Sequence, residues 1–266
     1  MRNSSKQKKA VEYGFGNFSQ IGEKMKTCNI LGTNIAVTNM AEVVAYIENN
    51  IEELRGNYIC VSNVHTTVTG YEDKEYQKIQ NSAAAALPDG KPLSIYSKKH
   101  GFPEAERVTG PDLMGELFAR NNGLRHYFYG GTEETIKVLS EKLPAQYKDL
   151  VIAGMVSPPF RPLSAEEDEA AVRKINEAGA DIIWVGLGAP KQERWMYEHR
   201  GKVSGVMIGV GAGFDYYAGT IKRAPVWMQK MSLEWLYRLL QDPKRLFKRY
   251  LVTNFKFLRL TMRKGQ

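Results

Sequence analysis

The residues best suited to chemistry lie in one segment, GLGAPKQERW, at residues 186–195. The apolar run directly before it, DIIWV, predicts a buried strand. Glycines and polar side chains that follow a strand lie where open α/β sheets bind their ligands. Gln192, Glu193 and Arg194 offer an amide, a carboxylate and a guanidinium within one turn. An ordinary helix start with solvated polar residues explains the same segment equally well, so both interpretations stay open.

Other polar or glycine-rich loops also follow predicted strands, and parallel strands would bring them to one edge of a sheet. Glycines before a helix, as at Gly130 and Gly131, let backbone N–H groups approach a phosphate, although an ordinary capped helix start fits equally well. The loops are residues 63–67 (NVHTT), 88–90 (PDG), 130–132 (GGT) and 209–215 (GVGAGFD).

Asp89 and Arg107 each allow two interpretations. Pro-Asp-Gly is a common turn in which the aspartate accepts from nearby backbone, and the residues alone favour this structural role. A carboxylate at the end of a strand can also act as a general base. Arg107 could pair with a carboxylate or bind a diphosphate, for which a guanidinium is well shaped.

Several function classes lack their motifs in this sequence. Lys191 stands where a dinucleotide fingerprint has its third glycine, which disfavours an NAD-dependent oxidoreductase, and there is no P-loop. An Asp-x-Asp pair is also missing, the four histidines are scattered, and Cys28 and Cys60 do not form a metal-binding spacing. The sequence therefore predicts neither a metal site nor a dinucleotide cofactor.

Alternating strand-like and helical segments predict an α/β fold with a Rossmann-like, mostly parallel sheet flanked by helices. We divide the chain into a polar basic extension at 1–26, expected to be mobile, an α/β domain at 27–221 and a basic helical appendage at 222–266. The predicted strands are 57–62, 83–87, 126–129, 150–156, 181–185 and 203–208, and the predicted helices are 39–54, 64–80, 132–143, 164–178 and 242–262.

The positive charge is concentrated in this appendage. Residues 222–266 contain twelve Lys or Arg and two acids, a net charge of +10, so residues 1–221 carry −2. Apolar and aromatic residues share one helical face there, which favours an anionic membrane surface as the partner. Packing on the protein and self-association into a homo-oligomer remain alternatives, and the slightly acidic body argues against nucleic acid. No run is long enough to cross a bilayer and no signal core is present, so we expect a cytoplasmic, peripheral membrane protein.

Long motifs in this chain closely resemble the WecG/TagA/CpsF family of bacterial glycosyltransferases. They are GLGAPKQERW, LPDG at 87–90, RVTGPDL at 107–113 and GVGAGFDYYAGTIKRAPVWMQKMSLEWLYRLLQDPKRLFKRY at 209–250. The resemblance runs from about Asn29 to Tyr250. It implies transfer of a sugar, such as N-acetylmannosamine, from a UDP-sugar donor to undecaprenyl-diphosphate-linked N-acetylglucosamine at the inner face of the membrane. It further implies inversion at the anomeric carbon without a metal or other cofactor.

The resemblance also assigns roles to residues. It makes Asp89 the general base and gives catalytic importance to Arg107 and Gln192. The Ser62-Asn63 pair corresponds to an early Thr-x-Asn-like motif of the family, and the tail arginines match an appendage associated with membrane docking and acceptor diphosphate binding. The expected substrate-binding residues are Ser62, Asn63, Gly90, Gly130, Gly131, Gly186, Glu193, Asp215, Arg223, Arg238 and Arg245.

A different function class would keep much of this pattern. A membrane-docked protein that binds nucleotide sugars without catalysis would retain the glycine loops and the basic tail. It would have no use for a positioned base, so the behaviour of Asp89 distinguishes the two hypotheses.

Overall fold

A computed structural model describes residues 25–231 and 233–263 of the chain. The predicted extension at 1–26 therefore falls almost entirely outside the described residues. A short antiparallel hairpin of β1 (Thr27–Ile30) and β2 (Thr33–Ala36) opens the described part of the chain.

Six parallel strands form the central sheet, in the order β4-β3-β8-β7-β5-β6. This arrangement confirms the predicted α/β class. The strands are β3 (Tyr58–Ser62), β4 (Ala85–Pro88), β5 (Arg125–Gly130), β6 (Val151–Val156), β7 (Ile182–Gly186) and β8 (Val206–Gly209).

Helices cover both faces of the sheet and continue into the appendage. In chain order they are α1 (Met40–Asn49), α2 (Ile51–Leu54), α3 (Val64–Glu72), α4 (Lys74–Ser82), α5 (Lys91–Lys99), α6 (Gly110–Phe118), α7 (Glu133–Gln146), α8 (Ala165–Glu177), α9 (Lys191–Glu198), α10 (Gly213–Ala218), α11 (Val226–Lys230), α12 (Glu234–Gln241) and α13 (Pro243–Arg263).

Alternate residues of each central strand enter two separate cores. Ile182 and Trp184 of β7 pack with α1, α6, α7 and α10, whereas Ile183 and Val185 pack with the hairpin and with α3, α4, α8 and α9. All four side chains are buried. Strands that are covered on both faces appear in the sequence as continuous apolar runs, and this is why DIIWV was a clear strand signal.

The predicted helix at 64–80 is divided in the structure. Asp73 has an extended backbone and its side chain accepts from the N–H of Tyr76 at 3.0 Å, which ends α3 and begins α4. The predicted helix at 39–54 is likewise divided at Asn50. Helices α5 and α6 were not predicted, although Thr109 and Pro111 supply an N-cap and a first-turn proline for α6.

The appendage packs against the body through its long last helix. Helix α13 begins at Pro243, as the Asp-Pro pair predicted, and it contacts α3. Leu246 and Phe257 of α13 are buried, and Lys256 forms an ion pair with Glu72. Glu72 is the last residue of α3, so this ion pair fixes α13 at the carboxyl end of that helix.

Candidate active site

Asp89 lies where β4 ends, beside the end of β3. The N–H of Asp89 donates to the carbonyl of Ser62 at 2.7 Å, which fixes the turn after β4 to the last residue of β3. Asn63 caps α3 through its side-chain oxygen, and its side chain also hydrogen-bonds the Asp89 carboxylate. The structure therefore brings Asn63 and Asp89 together, as the sequence predicted.

Ser62 faces away from this edge. Its side chain is buried, and its hydroxyl donates to Oε1 of Gln80 at 2.7 Å. The hydroxyl of Ser62 therefore braces α4 against β3, and a contact between Ser62 and substrate stays a prediction.

A network of opposite charges surrounds Asp89. Nη1 of Arg107 donates to Oε2 of Glu234 in the appendage at 2.7 Å, and Nη2 of Arg107 lies 3.9 Å from Oδ2 of Asp112. Arg223, also in the appendage, pairs with the same Asp112. Two ion pairs therefore connect the start of the appendage to the body directly beside the candidate base.

Burial is the main cause that raises the pKa of Asp89, to about 7. The guanidinium of Arg107 opposes this shift, whereas the nearby carboxylates of Glu234 and Asp112 reinforce it. A carboxylate with a pKa near 7 can accept a proton from a hydroxyl and release it again at neutral pH, which is what general base catalysis requires.

A second appendage arginine reaches the same region through Tyr216. Nη1 of Arg238 donates to the hydroxyl of Tyr216 at 2.9 Å, and the guanidinium lies 5.2 Å from the centre of the tyrosine ring. Burial raises the pKa of Tyr216, and the charges of Glu234 and Asp89 contribute in the same direction. Arg245 lies on α13, but its side chain is outside the described part of the structure.

Gln192 connects two of the predicted substrate loops. Its Oε1 accepts from the N–H of Gly188 at 3.2 Å and from the N–H of Gly211 at 3.0 Å, so it joins the loop after β7 to the loop after β8. Its Nε2 donates to Oε1 of Glu193 at 2.8 Å. With 3% of its surface exposed, Gln192 holds these loops in place.

Glu193 is even more deeply buried, at 1% exposure. Burial raises the pKa of its carboxyl, and Tyr76 and Cys60 lie close enough to be affected by its charge. Glu193 therefore supports the Gln192 amide from inside the core, and its role in substrate binding stays a prediction.

The glycines at the ends of β5 and β7 allow the two backbones to approach closely. A Cβ on Gly130, whose φ is +131°, would lie 2.5 Å from the carbonyl carbon of Gly186. The N–H of Gly131 donates to the carbonyl of Gly186 at 3.1 Å. Gly90, with a φ of +103°, precedes α5, and Asp215 lies in the first turn of α10. All of these residues border the same edge of the sheet.

We expect Gly130→Ala to lower the free energy of unfolding by about 3 kcal/mol, since the new methyl group would overlap backbone that cannot rotate away. Gly123→Ala is the matched control, because Gly123 also has positive φ but has nothing within 4 Å of the new Cβ. The control should lose only about 1 kcal/mol. Urea unfolding of both variants gives the comparison, and equal losses would show that the close approach of Gly130 to Gly186 does not set the cost.

Gln192→Leu should lower the free energy of unfolding by about 2–5 kcal/mol and reduce activity in parallel, because it leaves the N–H groups of Gly188 and Gly211 without their acceptor. Gln146→Leu, at an exposed position on α7, is the control and should have little effect. If Gln192→Leu lost activity at full stability, direct substrate contact would replace the role in loop positioning.

Three residues of this cluster were missed in the sequence. Asp112, Tyr216 and Glu234 all lie within motifs that carried the family resemblance. Isolated acidic residues at helix starts usually interact with solvent, so the sequence offered no reason to select Asp112 or Glu234. Their partners are distant in the chain, and only the fold reveals them.

Two kinds of feature are absent from the part of the chain that the structure describes. Within residues 25–231 and 233–263, no group of three or more His, Cys, Asp or Glu side chains is placed to hold a metal ion. Among the same residues, no helix combines the length and the apolar character that a membrane crossing needs.

Comparison with known proteins identifies the family of this chain. The chain is similar to the N-acetylglucosaminyldiphosphoundecaprenol N-acetyl-beta-D-mannosaminyltransferase of Bacillus subtilis (strain 168), at 29% identity over 225 residues that cover 83% of this chain and 86% of that protein. It is 30% identical over 226 residues to the enzyme of the same name from Staphylococcus aureus (strain MW2), covering 82% of this chain and 86% of that protein. The model of the glycosyl transferase WecG/TagA/CpsF family matches residues 28–266. This match covers nearly the whole chain and includes every residue of the cluster around Asp89, so the protein is a glycosyltransferase of the WecG/TagA/CpsF family.

Proposed function

We propose that this enzyme transfers N-acetylmannosamine, or a closely related sugar, from a UDP-sugar to N-acetylglucosamine carried on undecaprenyl diphosphate. The relatives from Bacillus subtilis and Staphylococcus aureus are named for transfer of N-acetylmannosamine to this acceptor. The observation that carries the proposal is the position of Asp89, a carboxylate with a pKa near 7 that lies among arginines at the edge of the sheet.

Asp89 acts as the general base in a direct displacement. The acceptor hydroxyl gives its proton to the Asp89 carboxylate while its oxygen forms a bond to the anomeric carbon of the donor. The bond from that carbon to the diphosphate oxygen breaks, and UDP leaves with the electron pair. Attack from the face opposite the leaving group inverts the anomeric centre.

The leaving diphosphate gains negative charge, and positive groups of the chain itself stabilise it. Arg107 lies beside Asp89, and Arg223 and Arg238 reach the same region from the appendage. Guanidinium groups form paired hydrogen bonds with phosphate oxygens, and fixed charges in a partly dehydrated site stabilise a transition state effectively. We propose that these arginines take the role that a metal ion has in many other sugar-nucleotide enzymes.

The appendage places the site at an anionic membrane surface, where a lipid-linked acceptor is found. Helices α12 and α13 expose an unusual number of large apolar side chains next to many basic residues, a combination typical of helices that lie at a bilayer interface. The exposed apolar residues of these helices include Trp235, Leu240, Phe247, Leu251, Val252, Phe255, Leu258 and Met262.

A panel of radiolabelled UDP-sugars, tested with polyprenyl-diphosphate-linked N-acetylglucosamine, tests the proposal. We expect incorporation of label into the lipid fraction with UDP-N-acetylmannosamine and weaker or no incorporation with UDP-glucose. Binding of UDP-sugars without incorporation from any donor would instead support a nucleotide-sugar-binding protein without catalysis.

A further inference from the structure

Glu234 is the residue of the appendage that makes the shortest described contact with Arg107. It is the first residue of α12, and it lies 127 positions along the chain from Arg107. Both side chains are mostly buried, at 19% exposure each, and the nitrogen and oxygen are 2.7 Å apart.

We propose that Glu234 is a positioning residue that occupies Arg107 in the absence of substrate and gives way to the donor diphosphate. A carboxylate and a phosphate present similar pairs of oxygens to a guanidinium, so the same geometry of Arg107 serves both. Glu234 thereby keeps Arg107 extended toward Asp89 before substrate arrives. This inference rests on the proposed function, because it requires a diphosphate as the natural partner of Arg107.

The neighbouring ion pair shows why Glu234, and not Asp112, is the group that must move. Asp112 accepts a hydrogen bond from the hydroxyl of Thr109 at 2.6 Å and pairs with Arg223, so its two oxygens are engaged elsewhere. Nη2 of Arg107 is 3.9 Å from Asp112, beyond hydrogen-bonding distance. Glu234 is the only described carboxylate in hydrogen-bond contact with Arg107.

Displacement of Glu234 would also change the charge around Asp89. The charged and titratable groups that face Asp89 are Arg107 in the loop before α6, Asp112 at the start of α6, Tyr216 on α10 and Glu234 on α12. Asn63, from the start of α3, is neutral. Glu234 raises the pKa of Asp89 and Arg107 lowers it, so removal of the Glu234 charge should make Asp89 a weaker base.

Glu234→Gln tests the proposal in the full-length protein, with UDP as the probe in isothermal titration. Because the competing negative charge is gone, we expect UDP to bind about tenfold more tightly than to the unmodified protein. We also expect a lower kcat at neutral pH. In the profile of kcat against pH, the acidic limb should lie at lower pH than in the unmodified protein. A residue that only braces the appendage would instead weaken UDP binding when it is replaced.

The control for an equal change in net charge is Glu53→Gln. Glu53 is an exposed carboxylate on α2, and its replacement should alter neither the affinity for UDP nor kcat nor the pH profile.

Two outcomes would overturn the proposal. One is a folded Glu234→Gln protein whose affinity for UDP equals or is weaker than that of the unmodified protein. The other is a Glu234→Gln protein whose kcat falls on the acidic side at the same pH as in the unmodified protein. If Glu234→Gln does not fold, Glu234→Asp keeps the charge but shortens the side chain, and we expect tighter UDP binding than in the unmodified protein because the pair with Arg107 is weakened. Unchanged affinity in Glu234→Asp would then contradict the proposal. Failure of the unmodified protein to bind UDP at all would count against the proposed function itself, and the two failures are therefore distinguishable.

Discussion

Asp89→Asn should lower kcat by roughly 10²- to 10⁴-fold while the protein remains folded and continues to bind UDP. Asparagine has nearly the same shape as aspartate and can keep a hydrogen bond to Asn63, but it cannot accept the proton of the acceptor hydroxyl. The loss should therefore fall on kcat, with little change in the affinity for donor. Transfer of label to the lipid acceptor, measured under single-turnover conditions, gives the rate.

Asp149→Asn is the matched control, because Asp149 is an exposed aspartate in the turn before β6. It should leave both the rate and the affinity for UDP unchanged. Full activity of a folded Asp89→Asn protein would remove Asp89 from the mechanism and would support its alternative role as a turn residue.

The same substitution should increase stability at alkaline pH. The pKa of Asp89 is raised from 3.8 to about 7, so the folded protein binds this proton more tightly than the unfolded chain does. Ionisation of Asp89 consequently lowers the free energy of unfolding. This loss is absent below pH 4, where the carboxyl group is protonated in both states, and complete above pH 7, where it is ionised in both. Asp89→Asn removes this loss, so the free energy of unfolding of the variant should rise by at most about 4 kcal/mol at alkaline pH. The Tm difference between variant and unmodified protein should thus grow from pH 4 to pH 8.

The sequence predicted the sheet well because its strands are buried on both faces. Short continuous apolar runs such as DIIWV are typical of strands buried on both faces, and the glycine or polar residues that follow each run favour a strand over a buried helix segment. The loops after β3, β4, β5, β7 and β8 consequently appeared in the right places. That Asp89 lies beside Asn63 follows from the pairing of β3 with β4.

The direction of individual side chains was less predictable. Ser62 and Asn63 are neighbours, yet Ser62 enters the core and Asn63 caps a helix at the sheet edge. In the same way Gln192 and Glu193 carry groups that suit a substrate, and the side chains of both are buried. A pattern identifies which residues lie at a strand end, whereas the packing of the following helix decides where each one points.

Contacts between the appendage and the body were beyond sequence reasoning for a different reason. Arg107 and Glu234 are separated by most of the sheet in the chain, and neither residue lies in a periodic pattern that would indicate a partner. The sequence predicted a basic, amphipathic tail. It gave no sign that one of the two acids in this tail would lie against the arginine nearest the candidate base.

Loss of the exposed apolar residues of α13 should abolish binding to anionic vesicles. Phe255 and Leu258 are well exposed on the protein, so their replacement by serine removes little packing. At about 1.5–3 kcal/mol for each large apolar side chain that enters the interface, the double variant should bind vesicles at least 100-fold more weakly. Sedimentation with vesicles that contain phosphatidylglycerol measures this change.

Point substitutions test this surface better than deletion of the appendage. Deletion would also remove Leu246 and Phe257, which are buried, and Glu234, which contacts Arg107. A loss of function would then have several explanations. Phe160→Ser is the control, since Phe160 is fully exposed on the loop between β6 and α8, far along the chain from the appendage.

The basic residues should contribute separately from the apolar ones. Replacement of the exposed Lys244 and Arg259 by glutamine should weaken binding to anionic vesicles by about 10- to 30-fold, at about 1 kcal/mol for each charge, and should hardly affect neutral vesicles. Activity should fall with a long-chain lipid acceptor and persist with a short, water-soluble one, because the site itself is intact. Undiminished vesicle binding in both sets of variants would mean that this face of α13 is covered by protein, and the self-association that the sequence left open would then be the better explanation.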